Sequence, residues 1–433
     1  MKKVVLSAMA LMMGAAVFAQ VDQLSGALSP AVQDSGTVYG VGNGGTTDQY
    51  GNDNDALVLQ AGTNQDVVIV QTNYSADPGN LVRVIQTGEV TAASGEGNRA
   101  NVDQDGSANQ SSTFQEGDFN DAVTNQVGNG NKAYIKHGIG QQGEDNYAAI
   151  EQDGDDNLAK TIQVYDNNLA YTIQNGMGNK SNIRQNAGPN QSAGHLAANE
   201  QYGDNNESYI RQVGAGRSEA RMLQDGSDNQ GIVTQTTGAG AFNITDMWQY
   251  GTTNVGFQTQ GGGNGNYAGM SQNGAGNYGE QAQSGGYNFA AMSQFGDENY
   301  AKQDQVGFAN TVYVTQDGNG NQSLQTQKGI FNYTSSYQEG DENKSNVHQR
   351  GFGNWGITTQ IGNDNRSLLV QKGSNHAYIV GQYGNGNQSN VLQLGPNGNF
   401  ETDGIECDFD EQLDPTRGYN ISDFELETIC GGC

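Results

Sequence analysis

Apolar residues are scarce in this chain of 433 residues, of which only 34% are hydrophobic and 64 are glycine. Such a polar composition occurs in disordered chains as well as in folded ones, because little apolar surface is left to offset the entropy of ordering the chain. After the first twenty residues, no stretch has enough consecutive apolar residues to cross a bilayer. The order of the residues therefore has to decide between a fold and disorder.

Cysteine is absent from most of the chain and occurs only near the C-terminus, at Cys407, Cys430 and Cys433. A scaffold held by disulfides needs cysteines throughout, so the body of the protein must take its stability from another source. The last two cysteines have the spacing of a redox CxxC motif, but Gly-Gly at the extreme C-terminus lacks the usual helical setting. We expect a small cap with one disulfide, whose pairing among the three cysteines stays open.

Basic residues are few: 19 Lys and Arg stand against 47 Asp and Glu, which gives a net charge of −28. A field of this sign repels the phosphates of nucleic acids and anionic lipid headgroups. We therefore expect no nucleic-acid partner, and cations or cationic surfaces are better candidates. The simplest interpretation is that the charge keeps the chain soluble and slows its self-association.

Clusters of catalytic residues are also lacking. Acids recur at equivalent positions beside turns, as at Asp155 and Asp341, and repetition indicates a coating rather than a unique site. Stacked carboxylates can bind calcium, but their spacing does not follow calcium-binding β-rolls, which favours a solvated acidic edge. We predict no catalytic residues, no cofactor and no metal site. The four histidines are scattered without ligand-like spacing, at His137, His195, His348 and His376.

The N-terminus has the features of a secretory signal peptide. Lys2 and Lys3 precede an apolar run from residue 4 to 17, and a small-residue cleavage site ends at Ala19. Gln20 would then begin the mature chain, with no cysteine there to carry a lipid anchor. We predict an exported protein.

A glutamine repeat dominates the rest of the chain. From Gln272 onward, a glutamine recurs at every eleventh residue, and most of these residues begin the pattern Q-x-G-x-x-N. Such a fixed period indicates a repeat architecture. The predicted glutamine ladder consists of Gln272, Gln283, Gln294, Gln305, Gln316, Gln327, Gln338, Gln349, Gln360, Gln371, Gln382 and Gln393.

The residues between the turns alternate in character, as in Asn310, Val312, Val314 and Gln316, and period two indicates a β-strand with one distinctive face. Glycine in the middle of Q-x-G-x-x-N supplies the positive φ of a tight turn. Two strands per 22 residues would then stack with a spacing of about 4.7–4.9 Å. The predicted asparagine ladder consists of Asn299, Asn310, Asn321, Asn332, Asn343, Asn354 and Asn365.

Stacking explains how a polar chain acquires an interior, because each amide can donate to the copy on one side and accept from the copy on the other. An interior amide without partners would cost roughly 1–3 kcal/mol, so nearly every rung must keep its Gln and Asn. Upstream the repeat has longer intervals, which we interpret as loops. These intervals are 71–86, 86–104, 126–141, 185–201 and 235–249.

This pattern resembles the curlin repeat of the curli fibre subunits of Gram-negative bacteria, roughly S-x5-Q-x-G-x-x-N-x-A-x3-Q. Gln152, Gly154, Asn157, Ala159 and Gln163 fit it. The resemblance implies a β-solenoid subunit that passes the outer membrane unfolded through curli-type export machinery and polymerises into amyloid fibres of the biofilm matrix. Here both half-units carry Q-x-G-x-x-N and a cysteine-bearing tail is appended, which leaves the roles of major subunit, minor subunit and nucleator open.

We therefore predict an all-β solenoid, cross-β and amyloid-like, with two strands per rung of about 22 residues. The expected segments are a signal peptide at 1–19, a leader resembling the curlin export segment at 20–45, the solenoid at 46–399 and an acidic tail at 400–433. The tail is expected to cover the last rung near Gln393, which would otherwise be a growing edge.

The expected function is structural: a secreted subunit of curli-like fibres, extracellular or at the cell surface, that contributes to adhesion and cell aggregation. Its expected partners are copies of itself or a related curlin subunit, and the outer-membrane export machinery. No transmembrane segment is expected. The alternative is a monomeric, capped solenoid that acts as a surface adhesin for a glycan or a cationic partner.

Overall fold

The computed structural model describes residues 43–61, 64–75, 77–88, 97–138, 143–188 and 193–395. The predicted signal peptide, most of the predicted leader and the cysteine-bearing tail lie outside these residues. The described residues divide into two compact units, an N-terminal unit of residues 43–266 and a C-terminal unit of residues 267–395. Every regular element in the described part of the chain is a β-strand.

The N-terminal unit contains two parallel sheets, one of odd-numbered and one of even-numbered strands. Its odd-strand sheet consists of β1 Gly44–Gly51, β3 Asp66–Asn73, β5 Arg99–Ser107, β7 Asp121–Asn129, β9 Tyr147–Asp155, β11 Leu169–Met177, β13 Leu196–Asp204, β15 Arg217–Ser227 and β17 Phe242–Thr252. Its even-strand sheet consists of β2 Asp55–Ala61, β4 Leu81–Thr87, β6 Gln110–Glu116, β8 Lys132–His137, β10 Leu158–Val164, β12 Lys180–Ala187, β14 Glu207–Gly214, β16 Gln230–Thr237 and β18 Val255–Gly261.

The C-terminal unit repeats this organisation. Its odd-strand sheet consists of β19 Tyr267–Ala275, β21 Phe289–Phe295, β23 Thr311–Asp317, β25 Tyr333–Glu339, β27 Trp355–Ile361 and β29 Ala377–Tyr383. Its even-strand sheet consists of β20 Tyr278–Gly286, β22 Tyr300–Phe308, β24 Gln322–Ile330, β26 Lys344–Phe352, β28 Arg366–Ser374 and β30 Gln388–Leu394.

The register of the strands confirms the predicted fold class. Within each unit, the strands pair in parallel with the strands of the next rung, and residues 22 positions apart lie side by side in the C-terminal unit, as Gln294 and Gln316 do. Consecutive strands alternate between the two sheets, so one rung contributes one strand to each sheet. Each unit is a parallel β-solenoid.

Alternating burial shows which side chains form the interior. In β23, Val312, Val314 and Gln316 are buried, whereas the residues between them are half-buried. Small residues lie opposite large ones: a side chain at Gly279 would come within 2.8 Å of the sulfur atoms of Met270 and Met292. The sheets are therefore held apart by a close-packed layer, as protein interiors generally are.

The turns depend on positive φ at two positions. Gly318 has φ of +124°, and a Cβ at this position would collide with the carbonyl oxygen of Gly340 in the next rung. Two residues further along, a second residue is left-handed, with φ of 63° at Gly320 and 52° at Ala309. Glycine is the residue that adopts both conformations without steric cost.

One predicted loop is wrong. Strand β8 lies inside the interval 126–141, and its last residue, His137, aligns with Gln115 of β6 and Gln163 of β10. The eleven-residue phase thus continues through His137, because an imidazole occupies the place of the expected glutamine. Gln141, which we had assigned to the repeat, lies outside the described residues. The intervals 71–86 and 235–249 do contain non-strand segments, at 74–75, 77–80 and 238–241.

Candidate functional site: the amide ladders and the end rungs

The predicted glutamines of the C-terminal unit form two hydrogen-bonded columns, one on each sheet. In each column the Nε2 of a glutamine donates to the Oε1 of the glutamine in the next rung, at 2.7–3.0 Å. The odd-strand column is Gln272, Gln294, Gln316, Gln338, Gln360 and Gln382. The even-strand column is Gln283, Gln305, Gln327, Gln349, Gln371 and Gln393.

The second hydrogen of each amide binds the facing sheet. The Nε2 of Gln316 also donates to the carbonyl oxygen of Tyr300, at 2.9 Å, and the Nε2 of Gln338 to that of Gln322, at 2.9 Å. These backbone oxygens belong to even strands, whereas the two glutamines belong to odd strands. Each ladder glutamine therefore ties one rung to the next and the two sheets to each other.

The predicted asparagines form ladders of the opposite polarity. Their Oδ1 atoms accept from the backbone N–H of the residue at the same position one rung later, as Asn299 Oδ1 does from Asn321 at 3.0 Å. Asn321 Nδ2 donates to the carbonyl oxygen of Gly340 at 2.7 Å. The amide-to-amide bonds of asparagine thus point towards the N-terminus, whereas those of glutamine point towards the C-terminus. The asparagines that donate in this way are Asn299, Asn310, Asn321, Asn332, Asn343, Asn354 and Asn365.

Acids at the turns belong to a further ladder. Asp297 Oδ1 accepts from the backbone N–H of Ala275 at 2.8 Å, and Asp341 Oδ1 accepts from that of Asn319 at 2.9 Å. Asn363 and Asn385 occupy the same position in later rungs. One oxygen of each of these two carboxylates thus holds the preceding turn, which explains why both Asp and Asn occur at this position.

Three histidines occupy ladder positions that the sequence analysis did not recognise. His137 stands in the glutamine column, and its Nδ1 lies 3.5 Å from Gln115 Nε2. His195 and His376 stand in asparagine columns, where their backbone N–H groups donate to Asn168 Oδ1 and Asn354 Oδ1 at 3.2 and 3.1 Å. The eleven-residue spacing of the sequence could have identified two of these positions, because His137 follows Gln126, and His376 follows Asn365, by one repeat.

Burial keeps these imidazoles neutral. It lowers the pKa of His137 to about 3, and it lowers the pKa of His195 to about 4, although backbone groups at Asn186 and Gly214 oppose the second shift. Desolvation, together with the charge of Lys328, also lowers the pKa of His348, which lies on the outer face of β26.

A second, shorter glutamine column was also missed. Gln281, Gln303 and Gln325 point inward from even strands, and Gln281 Nε2 donates to Gln303 Oε1 at 2.7 Å. The hydroxyl of Thr334, on the facing sheet, donates to Gln325 Oε1. The strand that illustrated the alternation in the sequence carries Val314 at this position, two residues before its ladder glutamine.

The end rungs differ from the interior rungs. All of β1 is exposed, and in β29 only Val380 and Gln382 are buried. In the first rung, Gln49 Nε2 donates to Gln71 Oε1 at 2.8 Å, so its own Oε1 faces away from the stack. In the last described rung, Gln393 Nε2 donates across to the carbonyl oxygen of Ala377 at 3.2 Å. The first described rung of the N-terminal unit thus presents amide oxygens, and the last described rung of the C-terminal unit presents amide N–H groups.

Two kinds of feature are absent from the described residues. No helix among them is long and apolar enough to cross a membrane. No group of three or more His, Cys, Asp or Glu side chains in the described ranges is arranged to hold a metal ion. The proposed disulfide residues Cys407, Cys430 and Cys433 lie outside the described residues.

The C-terminal unit matches the model of a known protein family. The model of the curlin associated repeat matches residues 340–373, which contain β26, β27 and most of β28. The matched segment contains two consecutive Q-x-G-x-x-N half-units, beginning at Gln349 and Gln360. No curated protein is similar enough to this chain to match it.

Proposed function

The chain belongs to the curlin-repeat family, and on that premise we propose that it is a secreted structural subunit of curli-like amyloid fibres in the extracellular matrix of a biofilm. The proposal includes removal of the signal peptide before Gln20 and passage through curli-type export machinery. It assigns no catalytic step to the chain, in keeping with a repeat family whose role is structural.

The polarity of the glutamine ladders is the observation that carries this proposal. The last described rung ends in the Nε2 groups of Gln382 and Gln393, and the first rung ends in the Oε1 groups of Gln49 and Gln60. Donors at one end and acceptors at the other make the two end rungs complementary. A heterologous, head-to-tail contact builds an open filament when the rotation between copies does not close a ring.

The backbone edges support the same contact. Inward positions are less buried in the end rungs than in interior rungs: those of β1 are exposed and those of β2 and β30 are half-buried, although Val380 and Gln382 of β29 stay buried. An exposed strand edge is a template for pairing with another chain. Addition of a second copy would continue every ladder of the stack, as in cross-β assemblies.

Growth from purified mature chain tests the proposal. Q382K/Q393K places two cations inside the last rung and should slow seeded thioflavin-positive growth by about tenfold or more, because inward charges on an edge strand block its pairing. The matched control Y383K/L392K puts the same residues on the exposed outer faces of the same strands and should grow at the parental rate. Equal rates in both variants would contradict growth through this rung.

The alternative function is that of a monomeric surface adhesin. Parental chain that stays monomeric for days at high concentration, with fibre seeds added, would reject the fibre proposal in favour of the adhesin.

A further inference from the structure

Lysine and arginine side chains are distributed unequally between the two sheets of each unit. All of those in the described residues point outward, and all but Arg99, Arg217 and Arg221 belong to even strands. The even-strand cations of the N-terminal unit are Arg83, Lys132, Lys136, Lys160, Lys180, Arg184 and Arg211. Those of the C-terminal unit are Lys302, Lys328, Lys344, Arg350, Arg366 and Lys372.

The outer face of the odd-strand sheet in the N-terminal unit carries the opposite charge. Its three arginines lie beside acids: Arg217 and Arg221 contact Glu219 at 2.9 and 3.7 Å, and Arg99 pairs in register with Asp121. The acids of this face are Asp48, Asp66, Asp103, Asp105, Asp121, Glu151, Asp153, Glu200, Glu219, Asp225 and Asp246.

Five cations in the C-terminal unit, here called the cation patch, stack on one another. They are Lys328 of β24, Lys344 and Arg350 of β26, and Arg366 and Lys372 of β28. The register places like charges side by side, in the row Lys328, Arg350 and Lys372 and in the pair Lys344 and Arg366.

This stacking is unfavourable within the chain. Like charges directly opposite one another in a sheet are destabilising, and among the described residues no acid forms an ion pair with any member of the cation patch. Elsewhere on even strands, cations have partners, as Lys302 has in Glu280 at 3.3 Å and Lys180 in Glu207 at 2.7 Å. Asp304 of β22 lies close enough to Lys328 for their charges to interact. The other members of the cation patch present their positive field to an anionic partner.

Four exposed acids in the N-terminal unit, here called the acid patch, match its spacing. They are Asp103 and Asp105 of β5 and Glu151 and Asp153 of β9. Asp105 and Asp153 occupy the same column two rungs apart, as Lys328 and Lys372 do. At the ordinary strand spacing, both pairs span about 9–10 Å.

We propose that the cation patch of one copy binds the acid patch of a second copy, which joins solenoids side by side with parallel axes. Two solenoids have the same rung spacing, so opposite charges that face each other at one rung also face each other at the following rungs. A partner without this repeat cannot match the charges in this way. A single exposed ion pair contributes little binding free energy. A fibre presents both patches once per subunit, so the contributions of many such pairs add up along two neighbouring fibres. This inference rests on the proposed fibre function and concerns the bundling of fibres rather than their growth.

Salt and neutralising substitutions test the pairing in fibres grown from the mature chain. At about 1 M NaCl the screening length falls to about 3 Å, so parental bundles should separate into single fibres and reform on dilution. R350Q/K372Q should lower the bundled fraction at low salt by about tenfold. The matched control R217Q/R221Q removes the same charge from the acidic face and should leave bundling unchanged or increase it.

A charge swap identifies the partner surface. Preformed fibres of K328E/K372E and preformed fibres of D105K/D153K should each stay single, and should bundle with each other when mixed, as two-colour fluorescence and electron microscopy would show. Bundles that survive high salt, equal bundling of R350Q/K372Q and its control, or no rescue in the mixture would overturn the proposal. If R350Q/K372Q bundles normally but no longer retains an acidic polysaccharide, the cation patch serves an acidic polymer instead of a second copy. Thioflavin-positive growth of every variant keeps this outcome separate from failure of the fibre function.

Discussion

Gln163 follows His137 in the register of the even-strand sheet, and the Oε1 of Gln163 and the Nε2 of His137 are both buried without a hydrogen-bond partner in the described structure. On either side of His137, glutamines of this column donate a hydrogen bond to the glutamine of the next rung, as Gln86 does to Gln115 at 2.8 Å and Gln163 does to Gln185 at 2.8 Å. His137 is thus a break in an otherwise continuous column.

His137→Gln is expected to repair this break. A glutamine at this position can accept from Gln115 and donate to Gln163, which removes an unsatisfied buried group worth about 1–3 kcal/mol. We expect a higher urea midpoint for freshly purified monomer. The control Lys136→Gln, on the outer face of the same strand, should leave the midpoint unchanged, and a variant no more stable than the parent would show that the imidazole is well accommodated.

The same substitution should flatten the dependence of stability on pH. Burial lowers the pKa of His137 to about 3 in the fold, from 6.5 for an unperturbed group. Between these values the unfolded chain binds a proton that the folded chain excludes, so stability falls as pH drops below about 6.5, by up to about 1.4 kcal/mol per pH unit. His195 contributes a slope of the same sign. The difference between parent and His137→Gln, measured by urea unfolding from pH 7 to pH 4, isolates His137, and parallel curves would contradict its buried, neutral state.

Ladder glutamines are expected to matter far more than their outward neighbours. Gln316→Ala removes an acceptor from Gln294 and a donor from Gln338, which should cost roughly 1–3 kcal/mol, and Gln338→Ala should behave alike. Thr315→Ala and Tyr337→Ala, one position away on the outer face, are the controls and should change stability by less than about 0.5 kcal/mol. Equal losses of unfolding free energy in the two pairs would contradict the assigned strand faces.

Turn glycines are expected to resist substitution. Gly318→Ala should cost more than about 1–2 kcal/mol, because the residue has φ of +124° and its Cβ would collide with the carbonyl oxygen of Gly340. Gly238→Ala is a suitable control, since nothing lies within 4 Å of a Cβ at that position and its φ is not in the left-handed region. Comparable destabilisation of both variants in urea would mean that the turn geometry is not the cause.

The opposite substitution should stabilise a neighbouring turn. Ala309 has φ of 52°, which costs an L-residue about 1–2 kcal/mol, so Ala309→Gly should raise the free energy of unfolding by about 0.5–1 kcal/mol. Ala301→Gly, at a fully buried strand position, should instead lower it. A loss of stability in Ala309→Gly would show that the left-handed conformation carries no strain here.

The eleven-residue spacing was sufficient to predict the solenoid, because a glutamine at every eleventh residue places one amide in each strand and leaves a turn between strands. It also placed Gln316 and Asn321 on the inner face. The histidines in ladder positions were missed because the search followed residue identity, whereas the register constrains the position and admits any side chain that fits.

The charge asymmetry escaped the sequence analysis for a different reason. Lys328, Arg350 and Lys372 are 22 residues apart, since successive half-units alternate between the two sheets. When the sequence is aligned on the eleven-residue repeat, outward residues of both sheets fall in the same column. The difference in charge between the two outer faces is then not visible. The relation between the acid patch and the cation patch needs the assignment of each strand to a sheet, which the structure supplies.

Diffraction from aligned fibres of the purified mature chain tests the central claim most directly. If head-to-tail solenoids continue the amide ladders, the strands lie perpendicular to the fibre axis, and a meridional reflection appears at about 4.7–4.8 Å. Its absence from well-aligned fibres, or its appearance on the equator, would contradict stacking through the end rungs.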